Sequence, residues 1–103
     1  MRKALDPRVQ RRILSACDPG IRRAVEVLMD SGFTTIESCE GGKGHVFPKP
    51  TIKFYGTSVD GFRAYAAVAE LDFPVSELRR VYDVIDGELS GPFWELVFYR
   101  KMP

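Results

Sequence analysis

Residues 33–55 read FTTIESCEGGKGHVFPKPTIKFY, two strand-like runs joined by a loop that contains three glycines. The first run, Phe33 to Cys39, is rich in threonine and isoleucine, which favour strands. The second, Thr51 to Tyr55, would place Ile52 and Phe54 on one face of a β-strand. One of two cysteines and the only histidine fall between positions 39 and 45. Because the loop is long for a hairpin, we predict that it is a functional loop.

Two helices are predicted before this segment. Asp6-Pro7 and Asp18-Pro19 are both helix-start signals, since aspartate caps free amides and proline is tolerated in the first turn. Four apolar residues of the second helix follow at helical spacing, and Gly32 supplies a stop. They are Ile21, Ala24, Val25 and Leu28.

A third helix and two strands are predicted after the loop. Thr57 and Asp60 resemble a capping box that opens a helix running to about Leu71. Residues 76–86 fit a strand or a helix, and their content of valine, tyrosine and isoleucine favours the strand. Turn signals at 86–87 and 90–92 then precede a last strand from Phe93 to Arg100.

The predicted order α-α-β-β-α-β-β indicates an α+β fold. We expect a two-layer sandwich with a four-stranded, mainly antiparallel sheet and two to three helices on one face. The open face would carry some of Tyr55, Tyr82, Phe93 and Tyr99. That much aromatic surface indicates that a helix, a second copy of the chain or a ligand covers this face, and a homodimer through it is one prediction.

The chain of 103 residues is long enough for one core, so we predict a single domain over residues 1–103, with 1–17 as a short basic arm or helix. No apolar run approaches a membrane span and no signal peptide is evident, which favours a cytoplasmic protein. Residues 1–23 hold seven basic side chains against two acidic ones, although the net charge is only +1.

A basic N-terminal segment indicates either a solvated helix face or a surface that follows a phosphate backbone. The second interpretation makes the chain a nucleic-acid accessory protein. Its contacts would come from Arg8, Arg11, Arg12, Arg22 and Arg23.

The glycine loop suggests a binding site. Gly41, Gly42 and Gly44 permit positive φ, so that neighbouring amides can converge on an anionic small molecule, and Lys43 and Lys49 add positive charge. Glu40 opposes an anion, and the spacing matches neither a Walker A loop nor a dinucleotide fingerprint. The predicted ligand-binding residues are Ser38, Cys39, Glu40, Gly41, Gly42, Lys43 and His45.

Cys39 and His45 allow two further interpretations. A thiol beside an imidazole can act as a nucleophile, which makes a small enzyme the alternative function. With a carboxylate from Glu37 or Glu40 the pair also offers three metal ligands. A structural zinc site needs four, so the sequence predicts no metal site.

The stretch from Gly32 to Gly42, followed by Gly44-His45 and Pro48, resembles a group of small uncharacterised bacterial and phage proteins. The closing segment 91–96, GPFWEL, resembles the same group, and the resemblance implies no particular activity. Positions 35, 38, 39 and 41 are more distantly similar to a strand-end signature of the wybutosine-synthesising tRNA methyltransferase family. The next signature residue of that family, an arginine, is Gly42 here. The similarity implies that a strand ending in Ser-Cys-x-Gly can frame a site.

The leading hypothesis is therefore a small accessory or ligand-binding domain with its site at residues 38–45. Its ligand and any cofactor are left open. If a ligand binds, we expect it to meet the strand end at Ser38-Cys39, with His45 folding over it.

Overall fold

A computed structural model describes residues 6–102 of the chain. They form three helices and four strands in the predicted order α-α-β-β-α-β-β, which confirms the α+β fold class. The helices are α1 (Pro7–Ala16), α2 (Pro19–Asp30) and α3 (Ser58–Ala69), and the strands are β1 (Thr35–Cys39), β2 (Thr51–Phe54), β3 (Val75–Ile85) and β4 (Glu88–Phe98).

The four strands form one sheet in the order β1-β2-β4-β3, and every neighbouring pair is antiparallel. β1 and β2 are a hairpin around the glycine loop, with Cys39 opposite Thr51. β3 and β4 are a second hairpin, and β4 lies beside β2 in the centre of the sheet. The strand interpretation of residues 76–86 is therefore confirmed.

The core lies between the helices and one face of this sheet. The predicted stripe of α2 is buried there, opposite Ile52 and Phe54 of β2 and the alternate residues 94, 96 and 98 of β4. Ile13 and Leu14 of α1 pack against the same cluster. The predicted arm or helix of residues 1–17 is thus a helix attached to the fold over Pro7–Ala16, whereas its residues 1–5 lie outside the described part of the chain.

The opposite face of the sheet carries a charged cluster as well as aromatic rings. Lys53 Nζ lies 2.6 Å from Asp83 Oδ2 and 3.9 Å from Glu95 Oε2. The ring of Phe93 lies under Lys53 and beside Tyr55. Tyr82 alternates with Val81 and Asp83 and therefore points to the helix side, so this face carries only some of the predicted aromatic residues, and the homodimer through it stays a prediction.

The last strand begins five residues before its predicted start. The sequence signal at Ser90-Gly91-Pro92 is not a turn but an irregularity within β4, where the Gly91–Pro92 peptide is cis and Gly91 has φ +119. Three steps along β4 there match two steps along β3. The turn is at Asp86-Gly87, where both residues have positive φ, as the tight turns of β-hairpins require.

The β3–β4 hairpin consequently extends past the short strand β2, which pairs only with residues 94–97 of β4. Tyr82, Val84, Ile85 and Leu89 are exposed on the extension. No helix within residues 6–102 is long and apolar enough to cross a bilayer.

Candidate functional site

The start of helix α2 lies beside the end of strand β1. The helix has 12 residues, about 18 Å, and ends in a tight turn at Gly32, which has φ +88. The strand then runs back for five residues, about 16 Å. Because the two lengths are similar, Asp18 at the N-cap of α2 lies next to Cys39 and Glu40 at the end of β1.

Three side chains of different chemistry meet at this position. His45 Nδ1 lies 3.5 Å from Cys39 Sγ and 3.6 Å from Asp18 Oδ2. The three ligand-type atoms all lie within 4.8 Å of one another. Cys39 is 5% exposed, whereas one third of the His45 side chain, 33%, is exposed. The predicted approach of thiol and imidazole is present, and His45 lies over the strand end.

Asp18 is the residue that the sequence interpretation missed. The sequence predicts that Asp18 caps α2, yet its side chain makes no hydrogen bond to its own helix. Instead Asp18 Oδ2 accepts the backbone N–H of Glu40 at 3.1 Å. In return Glu40 Oε1 accepts the backbone N–H of Gly20, in the first turn of α2, at 2.8 Å. Glu40 of the loop therefore caps α2, and Asp18 at the start of α2 caps an amide of the loop.

The Glu40 carboxylate has two further neighbours. Lys101 Nζ lies 3.3 Å from its Oε2, and His45 Nε2 lies 3.9 Å from the same oxygen. The hydrogen bond from Gly20, followed by the interaction with Lys101, lowers the pKa of Glu40 below its ordinary value of 4.5. Glu40 is consequently charged at neutral pH and faces the imidazole from the side opposite Cys39.

The loop amides do not converge on an anion. Gly41 N–H donates to Cys39 Sγ at 3.4 Å, Gly42 N–H to the Pro48 carbonyl, and His45 N–H to the Gly42 carbonyl. With Glu40 N–H held by Asp18, four amides of the loop already have acceptors within the protein. Two carboxylates border the site, Asp18 and Glu40, and Lys101 offsets part of the Glu40 charge. Binding of an anionic small molecule stays a prediction.

Gly41 fixes the shape of the loop. It has φ +80, and a Cβ there would lie 2.4 Å from the backbone of Lys49 and 2.6 Å from that of Pro50. No residue with a side chain fits this approach. The returning segment at Lys49-Pro50 therefore packs directly on the backbone of Gly41, two residues after Cys39.

The other predicted site residues lie around the cluster rather than in it. Ser38 Oγ points to Cys17 Sγ at 3.6 Å, and Gly42 and Lys43 are exposed. Glu37 pairs in register with Lys53, on the charged face of the sheet. The carboxylate that joins Cys39 and His45 is thus Asp18, and neither Glu37 nor Glu40 occupies that place.

Several of the N-terminal arginines have partners within the protein. Arg22 donates to the Cys17 carbonyl, Arg23 pairs with Glu26, and Arg8 lies 3.8 Å from Asp6. All five candidate arginines are exposed. Nucleic-acid binding through them stays a prediction.

Comparison with known proteins gave no relative for this chain: no family model, no curated protein and no solved structure matches it. The resemblances drawn from the loop sequence therefore remain expectations.

Proposed function

We propose that this protein is a small accessory domain that binds a zinc-class divalent metal ion through Cys39, His45 and Asp18. The observation that carries the proposal is the convergence of a thiol sulfur, an imidazole nitrogen and a carboxylate oxygen within 4.8 Å. The ion is the ligand of the loop, and the site is the strand end that the sequence indicated.

Two of the three ligand separations fit tetrahedral coordination. Zinc bonds of about 2.3 Å to sulfur and 2.0–2.2 Å to nitrogen and oxygen, at tetrahedral angles, separate sulfur from nitrogen by about 3.5 Å and nitrogen from oxygen by about 3.4 Å. The corresponding separations here are 3.5 Å and 3.6 Å. The third separation, from Cys39 Sγ to Asp18 Oδ2, lies within 4.8 Å, whereas a tetrahedral zinc would set it at about 3.6 Å. Binding would therefore need at most about 1 Å of movement of the Asp18 carboxylate toward the sulfur.

Each of the three ligands also has a hydrogen-bond donor or a carboxylate behind it. Gly41 N–H points at the Cys39 sulfur, Glu40 N–H holds the Asp18 carboxylate, and the Glu40 side chain faces His45 Nε2. Such outer contacts orient metal ligands and fix the histidine tautomer, and here they favour coordination through Nδ1.

The donor types select the class of metal. Thiolate and imidazole suit zinc and its neighbours among the transition metals, whereas magnesium and calcium prefer sites made of oxygen. Three protein ligands leave a fourth position, which water or an atom of a partner molecule would fill.

The same pair of residues also supports the enzyme interpretation, since Cys39, His45 and Glu40 stand in the order of a thiol, imidazole and carboxylate relay. Two observations weigh against it. Cys39 is almost fully buried, and no pocket opens beside it within the described residues. A sulfur this deeply buried is poorly placed to meet a substrate, whereas a single ion needs only the gap between the three ligands.

The proposal is tested by titrating the metal-free protein with cobalt(II) and zinc(II). We expect one equivalent of cobalt to produce the sulfur-to-cobalt charge-transfer band and one equivalent of zinc to remove it. Cys39→Ser should abolish the band, and His45→Gln and Asp18→Asn should weaken binding by more than the 10- to 100-fold typical of an outer-shell change. Glu40→Gln, an outer-shell change, should cost about 10-fold.

The chain offers matched controls for two ligands. Cys17→Ser removes the other thiol, and Asp6→Asn removes the other aspartate that precedes a helix-starting proline; neither should change the titration. Binding that survives Cys39→Ser, or no binding to the wild-type chain, would reject the metal site. Rapid alkylation of Cys39 by iodoacetamide that zinc does not slow would instead favour the catalytic thiol.

A further inference from the structure

The free edge of β3 is the longest unpaired strand edge in the described part of the protein. β3 has 11 residues and lies last in the sheet order, so only β4 is hydrogen-bonded to it. The opposite edge strand, β1, has five residues and an irregularity between Thr35 and Glu37. Short or bulged edges resist pairing with another chain, whereas a long regular edge is a template for it.

The edge is regular over a definite segment. One irregularity places an extra residue in β3 between Val75 and Glu77, and the other places its extra residue in β4. The backbone of β3 is therefore uninterrupted from Glu77 to Ile85, and this segment holds no proline. Charged side chains can also guard an edge, but here they are balanced, with Glu77 and Asp83 against Arg79 and Arg80. The midpoint of the segment is Val81.

We propose that β3 pairs antiparallel with β3 of a second copy of this chain, with the two-fold axis at Val81. In a joined sheet with both sets of helices on one side, residues directly opposite each other must face the same side of the sheet. The two-fold axis therefore lies between the two copies of one residue, and not between two neighbouring positions of the strand. An axis at Val81 uses the whole regular segment, 77–85, in both chains.

The side chains of the segment are self-complementary in this register. Arg79 lies opposite Asp83 on one face, twice because of the symmetry. On the other face Arg80 meets Tyr82, and Leu78 meets Val84. Opposite charges and aromatic or aliphatic partners directly across an antiparallel pair stabilise it.

Neighbouring registers bring unfavourable pairs together. An axis at Arg80 sets that arginine against its own copy and Glu77 against Asp83. An axis at Tyr82 sets Arg79 opposite Ile85. Pairing about Val81 also covers Tyr82, Val84 and Ile85, which are 56%, 69% and 58% exposed in the single chain.

The test uses one exposed position and two charges. In the proposed register Ile85 of one chain lies opposite Glu77 of the other, so Ile85→Lys adds two attractive pairs and Ile85→Glu two repulsive ones. We expect sedimentation equilibrium to show a dimer of the wild-type chain, about 2- to 30-fold tighter for the lysine variant and weaker by a similar factor for the glutamate variant. Val59→Glu, at an exposed valine of α3, is the control and should leave the dimer unchanged.

Two results would overturn the proposal. The first is a wild-type chain that stays monomeric at every concentration. The second is a dimer whose dissociation constant moves in the same direction, or not at all, with both Ile85 variants, which would place the interface elsewhere, including the aromatic face of the sheet. Circular dichroism of each variant confirms that the fold is retained.

Discussion

Gly61, in the first turn of α3, lies against the indole of Trp94. A Cβ at position 61 would stand 2.5 Å from two atoms of that ring system. The Trp94 side chain is held in place, since its Nε1 donates to the Thr57 carbonyl at 2.8 Å and the Arg80 guanidinium lies 4.6 Å from its ring centroid. The absence of a side chain at 61 thus lets α3 approach the sheet.

Gly61→Ala should therefore destabilise the protein. Helix propensity alone predicts a gain of about 1 kcal/mol, because alanine is the better helix former. Overpacking against a fixed indole should outweigh that gain and lower the free energy of unfolding by about 1–3 kcal/mol. Urea denaturation measures the difference, and a more stable variant would contradict this account of the contact.

A control on the same helix separates packing from propensity. Ala66 is exposed, so Ala66→Gly changes helix propensity with little change in tertiary contacts. It should cost about 1 kcal/mol. The two substitutions are opposite in chemistry, yet both are expected to destabilise.

At the scale of elements, the start of α2 is capped by a residue from the loop after β1. The first two helices begin with the same Asp-Pro pair, and Asp6 accepts the N–H of Arg8 in its own helix. Asp18 instead accepts the N–H of Glu40, and the Glu40 side chain accepts the N–H of Gly20 at the start of α2. Two identical local signals thus have different structural roles, because only the second lies beside a strand end.

Glu40→Ala should release the first turn of α2. We expect the Gly20 amide to exchange with solvent about tenfold faster, as for a lost helix cap, while the Arg8 amide is unaffected. Asp6→Ala should do the reverse. Hydrogen exchange of the metal-free protein measures both amides, and equal changes in the two variants would show that the caps are not independent.

The helices and strands followed from local sequence, while the third ligand of the site did not. The apolar stripe of α2, the capping box at Thr57 and the strand formers of residues 76–86 are signals within single elements. The position of Asp18 next to Cys39 depends on the relative lengths of α2 and β1 and on the turn between them. No sequence motif encodes that long-range arrangement. The predicted turn at 90–92 failed for a related reason, since glycine and proline also mark irregularities inside strands.

At the scale of the whole molecule, Lys53 links three strands of the sheet. It lies in β2, its closest acceptor Asp83 is in β3, and Glu95 of β4 lies between them. Only 12% of the Lys53 side chain is exposed and only 7% of that of Glu95. The hydrogen bond to Asp83, followed by attraction to Asp83, Glu95 and Glu37, raises the pKa of Lys53 above its ordinary value of 10.5, against the effect of burial.

Lys53→Met should destabilise the protein by about 3 kcal/mol, because it leaves the buried Glu95 and its neighbour Asp83 without this cation. A raised pKa in the folded state means that the stabilisation is fully present below pH 10.5 and is lost as the pH rises through the folded-state pKa. The difference in thermal stability between wild type and variant should thus shrink in strong alkali.

Lys49→Met is the matched control for this experiment. Lys49 is exposed and its Nζ lies 5.5 Å from the centroid of the Tyr99 ring. Its loss should cost less than about 1 kcal/mol, as for other exposed charges. If both variants lose the same stability, the charged cluster does not link the strands.

The exchange of caps between Asp18 and Glu40 has a consequence for how sequences like this one diverge. Asp18 satisfies the backbone amide of Glu40, and Glu40 satisfies that of Gly20, so a substitution at either position leaves one backbone donor without its acceptor. In any lineage that shares this fold, positions 18 and 40 should therefore both keep side chains that accept a hydrogen bond, because each joins the start of α2 to the loop, whereas position 6 serves only its own helix.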